Sequence, residues 1–176
     1  MKQATTNTTL DAPHTPGLTL LTFKVADQTY GLPVIDVMRI IEMVTITQLP
    51  DAPPYIQGII NLQGKAVPVM DLRQRFGLPP EPYGLHTPII LAEMAGEGRL
   101  MGLVVDAVEN VVDIPTKDLE MAETVVPAKL VEQLVTQKGH LAGVAKINRQ
   151  MILILNIWAL LSPDEQRELS QALGNN

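Results

Sequence analysis

The chain has 176 residues, a length that fits one domain or two small barrels fused around one core. Hydrophobic residues make up 46% and charged residues 18%, so we expect a sizeable core and no global disorder. The absence of cysteine excludes disulfides and thiolate zinc sites, while a net charge of −6 and an aromatic content of 3% argue against nucleic-acid binding.

The first 17 residues are predicted to be a flexible N-terminal tail. Residues 1–17 are rich in threonine and contain two prolines, without hydrophobic periodicity. They also lack the apolar segment of a signal peptide, and no apolar run in the chain approaches the roughly 20 residues of a membrane-spanning helix. We therefore expect a cytoplasmic protein with no direct membrane insertion.

After the tail, the pattern predicts short strands joined in hairpins. The chain contains 30 valines and isoleucines and 14 prolines, a balance that favours short strands over long helices. The four predicted hairpins pair Leu18–Val25 with Thr29–Pro33, Ile56–Leu62 with Ala66–Leu72, Pro88–Met94 with Leu100–Val112, and Leu141–Ile147 with Met151–Ile157. Their predicted turns are Asp27-Gln28, Gln63-Gly64-Lys65, Gly96-Glu97-Gly98 and Asn148-Arg149-Gln150.

Helices are predicted at two places, with a weaker helical turn over Asp71–Phe76. Apolar residues at i,i+4 spacing predict one helix over Pro127–Val135. Ser162 and Glu165 form a capping-box pattern that starts a C-terminal helix, with proline at the first helical position. Two leucines then share one narrow apolar face of that helix, Leu169 and Leu173.

An internal repeat indicates two similar halves. Gly58–Leu72 aligns without a gap on Gly143–Ile157, at an offset of about 85 residues. The segment that begins at Gly31 matches the one that begins at Gly102 in the same order, at an offset of about 71 residues. We therefore expect two all-β halves of about five short strands each, a size that closes into a small barrel and hides the strand edges.

The residues do not favour catalysis or a cofactor. The glycines around Lys65 lack the spacing of a phosphate-binding loop, and both serines of the chain lie in the C-terminal helix. The three histidines are too scattered to suggest a metal site. Three carboxylates at strand ends or turns are interpreted as separate structural acids: Asp36, Asp71 and Asp106. We therefore expect a binding module without a cofactor or metal, and not an enzyme.

Seven short motifs follow one another in order between residues 18 and 161. They are Tyr30-Gly31-Leu32-Pro33, Val37-x-x-Ile40, Leu49-Pro50-x-Ala52-Pro53, Gly58-Ile-Ile-Asn61-Leu62-x-Gly64, Pro68-Val-Met-Asp71-Leu72-Arg73, Gly102-Leu-Val-Val-Asp106-x-Val108 and Gly143-Val144. Together they resemble the CheW family, the adaptor proteins of bacterial chemosensory arrays. The order of the motifs makes the resemblance specific, although each motif alone is weak.

The resemblance implies an all-β fold of two SH3-like five-stranded β-barrels packed around a shared hydrophobic core. Residues 18–161 would be a CheW-like domain of two interleaved barrels, and residues 162–176 a C-terminal helix and tail. It further implies a non-enzymatic scaffold that links the cytoplasmic tips of chemoreceptors to the regulatory domain of the histidine kinase CheA. In the family, the kinase contact lies largely on the first barrel and the receptor tip in the groove between the barrels.

Nine positions match the interaction segments of the family: Val34, Val37, Arg39, Ile40, Gly58, Gln63, Gly102, Val108 and Gly143. An aliphatic groove built from such positions would bind a helical tip by apolar burial. The competing interpretation is that Val34, Ile40 and Val108 simply fill a barrel core. The glycines would then meet backbone needs, such as a positive φ or a close strand approach.

Two of these positions depart from the family pattern. The family usually has Glu where this chain has Arg39, and Arg where it has Gln63. Arg39 is expected either to hydrogen-bond Gln63 or to reach Glu42. Because charge complementarity governs partner choice, we hypothesise a divergent receptor or a specialised array.

Three other functions stay open at the level of sequence. A CheW-like adaptor of a specialised pathway, such as type IV pilus chemosensing, would have the same fold and the same kind of binding surface but different partners. A small-molecule-binding regulatory β-barrel would be favoured by a polar cavity between the halves and opposed by an apolar core. An SH3-like nucleic-acid binder is disfavoured by the net negative charge.

Overall fold

A computed structural model describes residues 17–94, 98–121 and 140–174, and these form eleven β-strands, two α-helices and three 3₁₀ turns. The strands are β1 (Gly17–Val25), β2 (Gln28–Pro33), β3 (Val37–Glu42), β4 (Ile56–Leu62), β5 (Lys65–Asp71), β6 (Pro88–Met94), β7 (Arg99–Val104), β8 (Ala107–Pro115), β9 (Leu119–Met121), β10 (Leu141–Ile147) and β11 (Gln150–Leu155). The helices are α1 (Leu72–Arg75) and α2 (Pro163–Gly174), and the 3₁₀ turns are Val34–Asp36, Thr116–Asp118 and Ile157–Leu160.

The strands form two sheets that exchange elements between the halves of the chain. Barrel A has the strand order β8-β1-β2-β11-β10-β9, and barrel B has the order β3-β6-β7-β5-β4. Strand β3 follows β2 in the chain yet pairs with β6, while β8 follows β7 and pairs with β1. The prediction of two all-β barrels is confirmed, and barrel A carries the short β9 as an additional strand.

The internal repeat is visible in the strand register. In barrel B the parallel pair of β5 and β7 places Val69 opposite Gly102, and in barrel A the pair of β11 and β2 places Ile154 opposite Gly31. These partners are related by the two sequence offsets found above. The bulges in β4 and β10 also fall at positions related by the longer offset. The two barrels are therefore structural copies.

Each barrel is closed by the segment that follows its exchanged strand. In barrel B, Thr47 forms a bridge to Ile59 of β4, with N–H to O distances of 2.8 Å in both directions. In barrel A, β9 follows β8 and pairs with β10. Closure gives the edge strands partners for backbone groups that would otherwise be unpaired.

Local turn chemistry explains the hairpins. Gln63 and Gly64 have φ values of 52° and 84°, and Asn148 and Arg149 have 48° and 65°. Two successive residues with positive φ suit the twist of a two-residue hairpin. Both turns therefore form where they were predicted but are one residue shorter, because Lys65 and Gln150 already belong to β5 and β11. The predicted turn Asp27-Gln28 is displaced by one residue, because β2 begins at Gln28.

One predicted strand is wrong. The segment Leu100–Val112 was expected to be a single arm of a hairpin, but β7 ends at Val104 and β8 begins at Ala107 in the other barrel. At the crossing, the Asp106 N–H donates to the Lys24 carbonyl at 2.9 Å. Apolar residues continue on both sides of the crossing, so the pattern alone does not reveal the change of sheet.

A shared apolar core lies between the barrels. Strand β6 has both faces buried, with Ile89 in the interior of barrel B and Ile90 in the shared core. The rings of Phe23, Tyr30 and Phe76 stack through that core, with centroid distances of 6.1 and 5.1 Å. This apolar packing opposes the hypothesis of a polar ligand cavity between the halves.

Two of the predicted helices are confirmed. Asp71 caps α1 by accepting a hydrogen bond from the Gln74 N–H, and Ser162 and Glu165 form the capping box of α2. The predicted helix Pro127–Val135 and residues 1–16 of the predicted tail lie outside the described residues. Among the residues that are described, no helix has the length and apolar character needed to cross a membrane.

Candidate protein-interaction surface

One continuous stretch of chain exposes four large apolar side chains on barrel B. It begins in the 3₁₀ turn after β2 and continues into β3, which is at one end of the strand order. We call these residues the edge patch, and their exposed fractions are 37% for Val34, 90% for Ile35, 53% for Met38 and 43% for Ile40. Contiguous exposed apolar residues of this kind are typical of binding surfaces.

The edge patch is fixed to the barrels by its neighbours in the chain. Val37 packs against the shared core, and Ile41 packs against the interior of barrel B. The register with β6 shifts between Val37 and Arg39, so a bulge lies at Met38. Such a bulge redirects side chains at a strand edge, which fits the exposure of Met38. The patch is therefore presented on an anchored strand.

The predicted contact valines and isoleucine differ in burial. Val34 and Ile40 are exposed, so the interpretation that they fill a barrel core is wrong for these two. Val37 and Val108 are half-buried and pack against the shared core from equivalent positions of the two halves. Val111, the repeat equivalent of Ile40, is 62% exposed on barrel A.

Two exposed residues of the patch were not predicted from the sequence. Ile35 and Met38 lie between predicted contact positions, but nothing in their spacing distinguishes them from core residues. Ile35 lies in a 3₁₀ turn and Met38 at a bulge, and both features break the alternation on which a strand prediction depends. The one feature of the sequence that could have indicated them is their position between Val34 and Ile40, within the segment that matches the family.

The predicted contact glycines have local packing reasons. Gly58 is buried with a φ of 139°, and a Cβ atom there would overlap the carbonyl oxygen of Thr47, which closes barrel B. A Cβ at Gly102 would lie 2.9 Å from a methyl carbon of Ile89. Gly143, the repeat equivalent of Gly58, pairs with β9 where barrel A closes. A side chain at Gly58 would therefore disturb the closure of barrel B, whether or not a partner binds there.

Arg39 and Gln63 do not form the expected contacts. Arg39 lies in β3, and Gln63 lies in the turn between β4 and β5. Strands β3 and β4 are at opposite ends of the barrel B strand order. Within the part of the chain that the structure describes, neither side chain has a hydrogen-bond or ion-pair partner. Glu42 instead contacts His86 Nδ1 at 2.8 Å. The side chains of Arg39 and Gln63 are therefore available to contact a binding partner.

A polar cluster joins the two barrels at a second location. Arg73 donates to a carboxylate oxygen of Asp106 at 2.5 Å and lies 3.0 Å from Glu81. Asp106 also accepts from the Ala26 N–H of barrel A at 2.6 Å. Asp106 and Asp71 line one small cavity of about 100 Å³, and each has its own hydrogen-bond partners. The volume is well below the roughly 300 Å³ of small-ligand pockets, and the cluster is a structural cross-link.

Burial is the largest cause of the raised pKa values of two further groups, Asp36 and Tyr83. Burial, followed by the charge of Glu93, raises the pKa of Asp36. Burial and a 2.5 Å hydrogen bond to Asp71 raise the pKa of Tyr83. The protonated Tyr83 hydroxyl donates to the buried Asp71 side chain, which gives this acid a hydrogen-bond partner.

Helix α2 is tethered to barrel B at its first turn. Glu165 accepts a hydrogen bond from the Tyr55 hydroxyl and lies 3.5 Å from Arg75, whose guanidinium is 4.5 Å from the centre of the Tyr55 ring. Burial and the bond to Glu165 raise the pKa of Tyr55 to about 12. Burial raises the pKa of Glu165, but hydrogen bonds from Tyr55 and Ser162 outweigh it and leave the pKa lowered.

His140 extends the aromatic packing at the end of the shared core. Its ring centre lies 6.3 Å from that of Phe76, and its Nδ1 has no hydrogen-bond partner among the described residues. Burial, and then the charge of Arg75, lowers the pKa of His140 against the opposing effect of Glu165. The lowered pKa indicates a neutral core residue. Elsewhere in the described chain, no group of three or more His, Asp or Glu side chains is arranged to hold a metal ion.

The architecture places the chain in the class of all-β proteins that are built from two barrels packed around a shared core. The family model described as a CheW-like domain matches residues 19–165. The chain therefore belongs to the CheW family, the scaffold and adaptor proteins of bacterial chemotaxis.

Individual relatives agree with this assignment. The chemotaxis protein CheW of Klebsiella aerogenes is 30% identical over 154 residues, which cover 88% of this chain and 87% of the relative. CheW of Bacillus subtilis is 31% identical over 135 residues, which cover 75% and 85%. The crystal structure of the scaffolding protein TtCheW from Thermoanaerobacter tengcongensis superimposes with a TM-score of 0.71 at 32% identity, covering 85% of this chain and 96% of that one.

Proposed function

We propose that this protein is a non-enzymatic adaptor that couples chemoreceptors to the regulatory domain of the histidine kinase CheA. It would act in the cytoplasm and associate with membranes only through receptor arrays. Membership of the CheW family supports a role in chemotaxis signalling. The observation that carries the proposal within this chain is the edge patch, because it offers apolar area on a fixed strand.

The edge patch is proposed to be part of the surface that these partners bind. Three of the predicted contact residues, Val34, Val37 and Ile40, lie in or directly beneath it. Arg39 adds a cation to the same strand, which would select partners by charge and less by affinity. Ile35 is the most exposed member and is expected to contribute most of the apolar burial on binding.

The test is a binding titration with Ile35→Asp. We expect this variant to bind a CheA regulatory domain, a receptor tip fragment or both at least about tenfold more weakly, because a buried aliphatic anchor is replaced by a charge. The matched control is Met151→Asp, which changes a residue of 44% exposure on barrel A. Unchanged affinity of Ile35→Asp for both partners, with the variant folded, would remove the edge patch from the proposal.

A second candidate is an adaptor of a specialised chemosensory pathway, such as one that controls type IV pili. Arg39 and Gln63, which have no partner within the described ranges, favour this candidate, because the usual acid and base of the family are replaced by a cation and an amide. Titrations against kinase domains of the two kinds of pathway, in parallel, distinguish the candidates. Preference for the flagellar partner would count against the specialised pathway.

A further inference from the structure

Met38 has the most exposed methionine side chain among those that the structure describes. Its exposed fraction is 53%, and that of Met151 on barrel A is 44%. Three other methionines are buried in the barrels or in the shared core: Met70, Met94 and Met101. The chain contains no cysteine, so methionine supplies all of its sulfur atoms. An oxidant that reacts with sulfur is therefore directed to the exposed thioethers.

The position of Met38 in β3 keeps its side chain outside the barrel. Val37 lies opposite Ala92 and Arg39 lies opposite Leu91, so Met38 is the extra residue of the bulge. The strand is paired with β6 on both sides of the bulge, and Val37 is packed against the shared core. The Met38 sulfur therefore stays accessible to small solutes in the free protein.

The other members of the edge patch are aliphatic: Val34, Ile35 and Ile40. A thioether packs against such a surface as an apolar group, and its flexible chain adapts to the shape of a partner. A sulfoxide at the same place carries a strong S–O dipole, and burial of a polar group without a hydrogen bond is unfavourable. Oxidation of Met38 would therefore oppose the apolar burial on which binding to the patch depends.

We propose that Met38 is an oxidation site, and that its conversion to methionine sulfoxide by a peroxide weakens binding at the edge patch. The thioether sulfur attacks one oxygen of hydrogen peroxide, so that an S–O bond forms and the O–O bond breaks. The departing hydroxide takes the proton of the transferred oxygen. The sulfur is thus oxidised to the sulfoxide, and the peroxide is reduced to water.

Oxidation and binding oppose each other in both directions. The sulfoxide weakens binding, and a partner seated on the edge patch shields the Met38 sulfur from peroxide. The effect on binding rests on the proposed function of the patch, whereas the reaction with peroxide is a property of the free chain. The two parts are therefore measured separately.

The first experiment locates the oxidation. The purified chain is treated with hydrogen peroxide until one oxygen atom has been added on average, and peptide mass spectrometry identifies the modified methionines. We expect Met38 and Met151 to react before the buried Met94 and Met101. A saturating CheA regulatory domain or receptor tip fragment should slow the reaction of Met38 at least about fivefold and leave that of Met151 unchanged. Reaction of Met38 no faster than that of Met94, or equal protection of Met38 and Met151, would overturn the proposal.

The second experiment measures the effect on binding. The oxidised parent chain is expected to bind the same partner about tenfold more weakly than the unoxidised chain. Met38→Leu keeps an apolar side chain without sulfur and should retain its affinity after the same treatment. Met151→Leu is the matched control and should lose affinity as the parent does. Met38→Gln, which places a polar group on the patch, should weaken binding without peroxide, and circular dichroism verifies that each variant is folded.

The outcomes distinguish this inference from the proposed function. If the unoxidised chain binds neither the kinase domain nor the receptor fragment, both fail. If the unoxidised chain binds but folded Met38→Gln or the Met38 sulfoxide binds equally well, the inference alone is overturned. An equal loss of affinity in peroxide-treated Met38→Leu and in the treated parent would also overturn it, because the effect would then belong to another residue.

Discussion

Arg39 and Gln63 are the two predicted interaction residues at which this chain departs from the usual pattern of the family. Both are exposed, and neither has a partner among the described residues. An unpaired surface cation costs little in the free protein, because water solvates it, and it becomes selective when a partner approaches. Their effect is therefore expected in binding and not in stability.

The exchange Arg39→Glu with Gln63→Arg restores the usual residues of the family. We expect the double variant to bind the chain's own partner about fivefold more weakly or worse, since a rim charge of the wrong sign faces the partner. The unfolding midpoint in urea should stay within error of the parent protein. Isothermal titration with the native partner measures the affinity, and an equal affinity would contradict the hypothesis of specialised partner choice.

Single residues also show where sequence reasoning was insufficient. The turn residues Gly64 and Asn148 act within a few neighbours, so their hairpins were predictable. The exposure of Ile40 depends on where β3 lies in the strand order, and Val34 lies in the 3₁₀ turn before that strand; no local pattern records either fact. The spacing of aliphatic residues along the sequence is the same whether they fill a core or form a binding surface.

At the scale of elements, α2 depends on one charged group. Glu165 holds the capping box and also accepts from the Tyr55 hydroxyl. Its lowered pKa means that the folded state binds the proton less readily than the unfolded state. Its contribution to stability is therefore present above the unfolded pKa of 4.5 and is lost as the pH falls through the folded pKa.

We expect Tyr55→Phe to lower the free energy of unfolding by about 1 kcal/mol at pH 7, because a hydrogen bond to a charged acceptor is removed at a partly exposed site. Below pH 4.5 the difference from the parent protein should shrink, since protonated Glu165 no longer gains from the phenol. Urea unfolding at pH 7 and at acidic pH measures both values. A difference that is the same at every pH would contradict the role of Glu165.

Elements were predicted well where chemistry is local. The capping box at Ser162 and the helical turn after Asp71 follow from side chains within three residues, and both are confirmed. The segment Leu100–Val112 was predicted wrongly because the change of barrel near Asp106 depends on a contact with Lys24, far away in sequence. The order of strands in the sheets was not predicted, because it depends on pairing between segments far apart in the sequence.

At the scale of the whole molecule, Arg73 connects the barrels. Its guanidinium reaches Asp106, which in turn accepts from the Ala26 N–H at the β1–β2 turn of barrel A. The Arg73 side chain is 13% exposed and that of Asp106 is 29% exposed, so water screens this pair only in part. The cluster complements the apolar shared core by fixing the relative orientation of the barrels.

We expect Arg73→Met to lower the free energy of unfolding by about 2 kcal/mol, since it leaves a partly buried carboxylate without its cation. The matched control is Arg167→Met, which removes the exposed ion pair with Asp164 and should cost about 0.5 kcal/mol or less. Chemical denaturation followed by circular dichroism measures both. Equal losses in the two variants would show that Arg73 does not hold the barrels together.

The exchange of β3 and β8 dictates the order in which the newly made chain can fold. Strands β1 and β2 leave the ribosome first, but their neighbours β8 and β11 are among the last strands to be synthesised. The amino-terminal hairpin must therefore wait for β8 to β11, whereas β3 to β7 of barrel B are contiguous in the chain and are all synthesised before barrel A is complete. A gene fragment that encodes one half would produce a polypeptide lacking the strands that its own sheet requires.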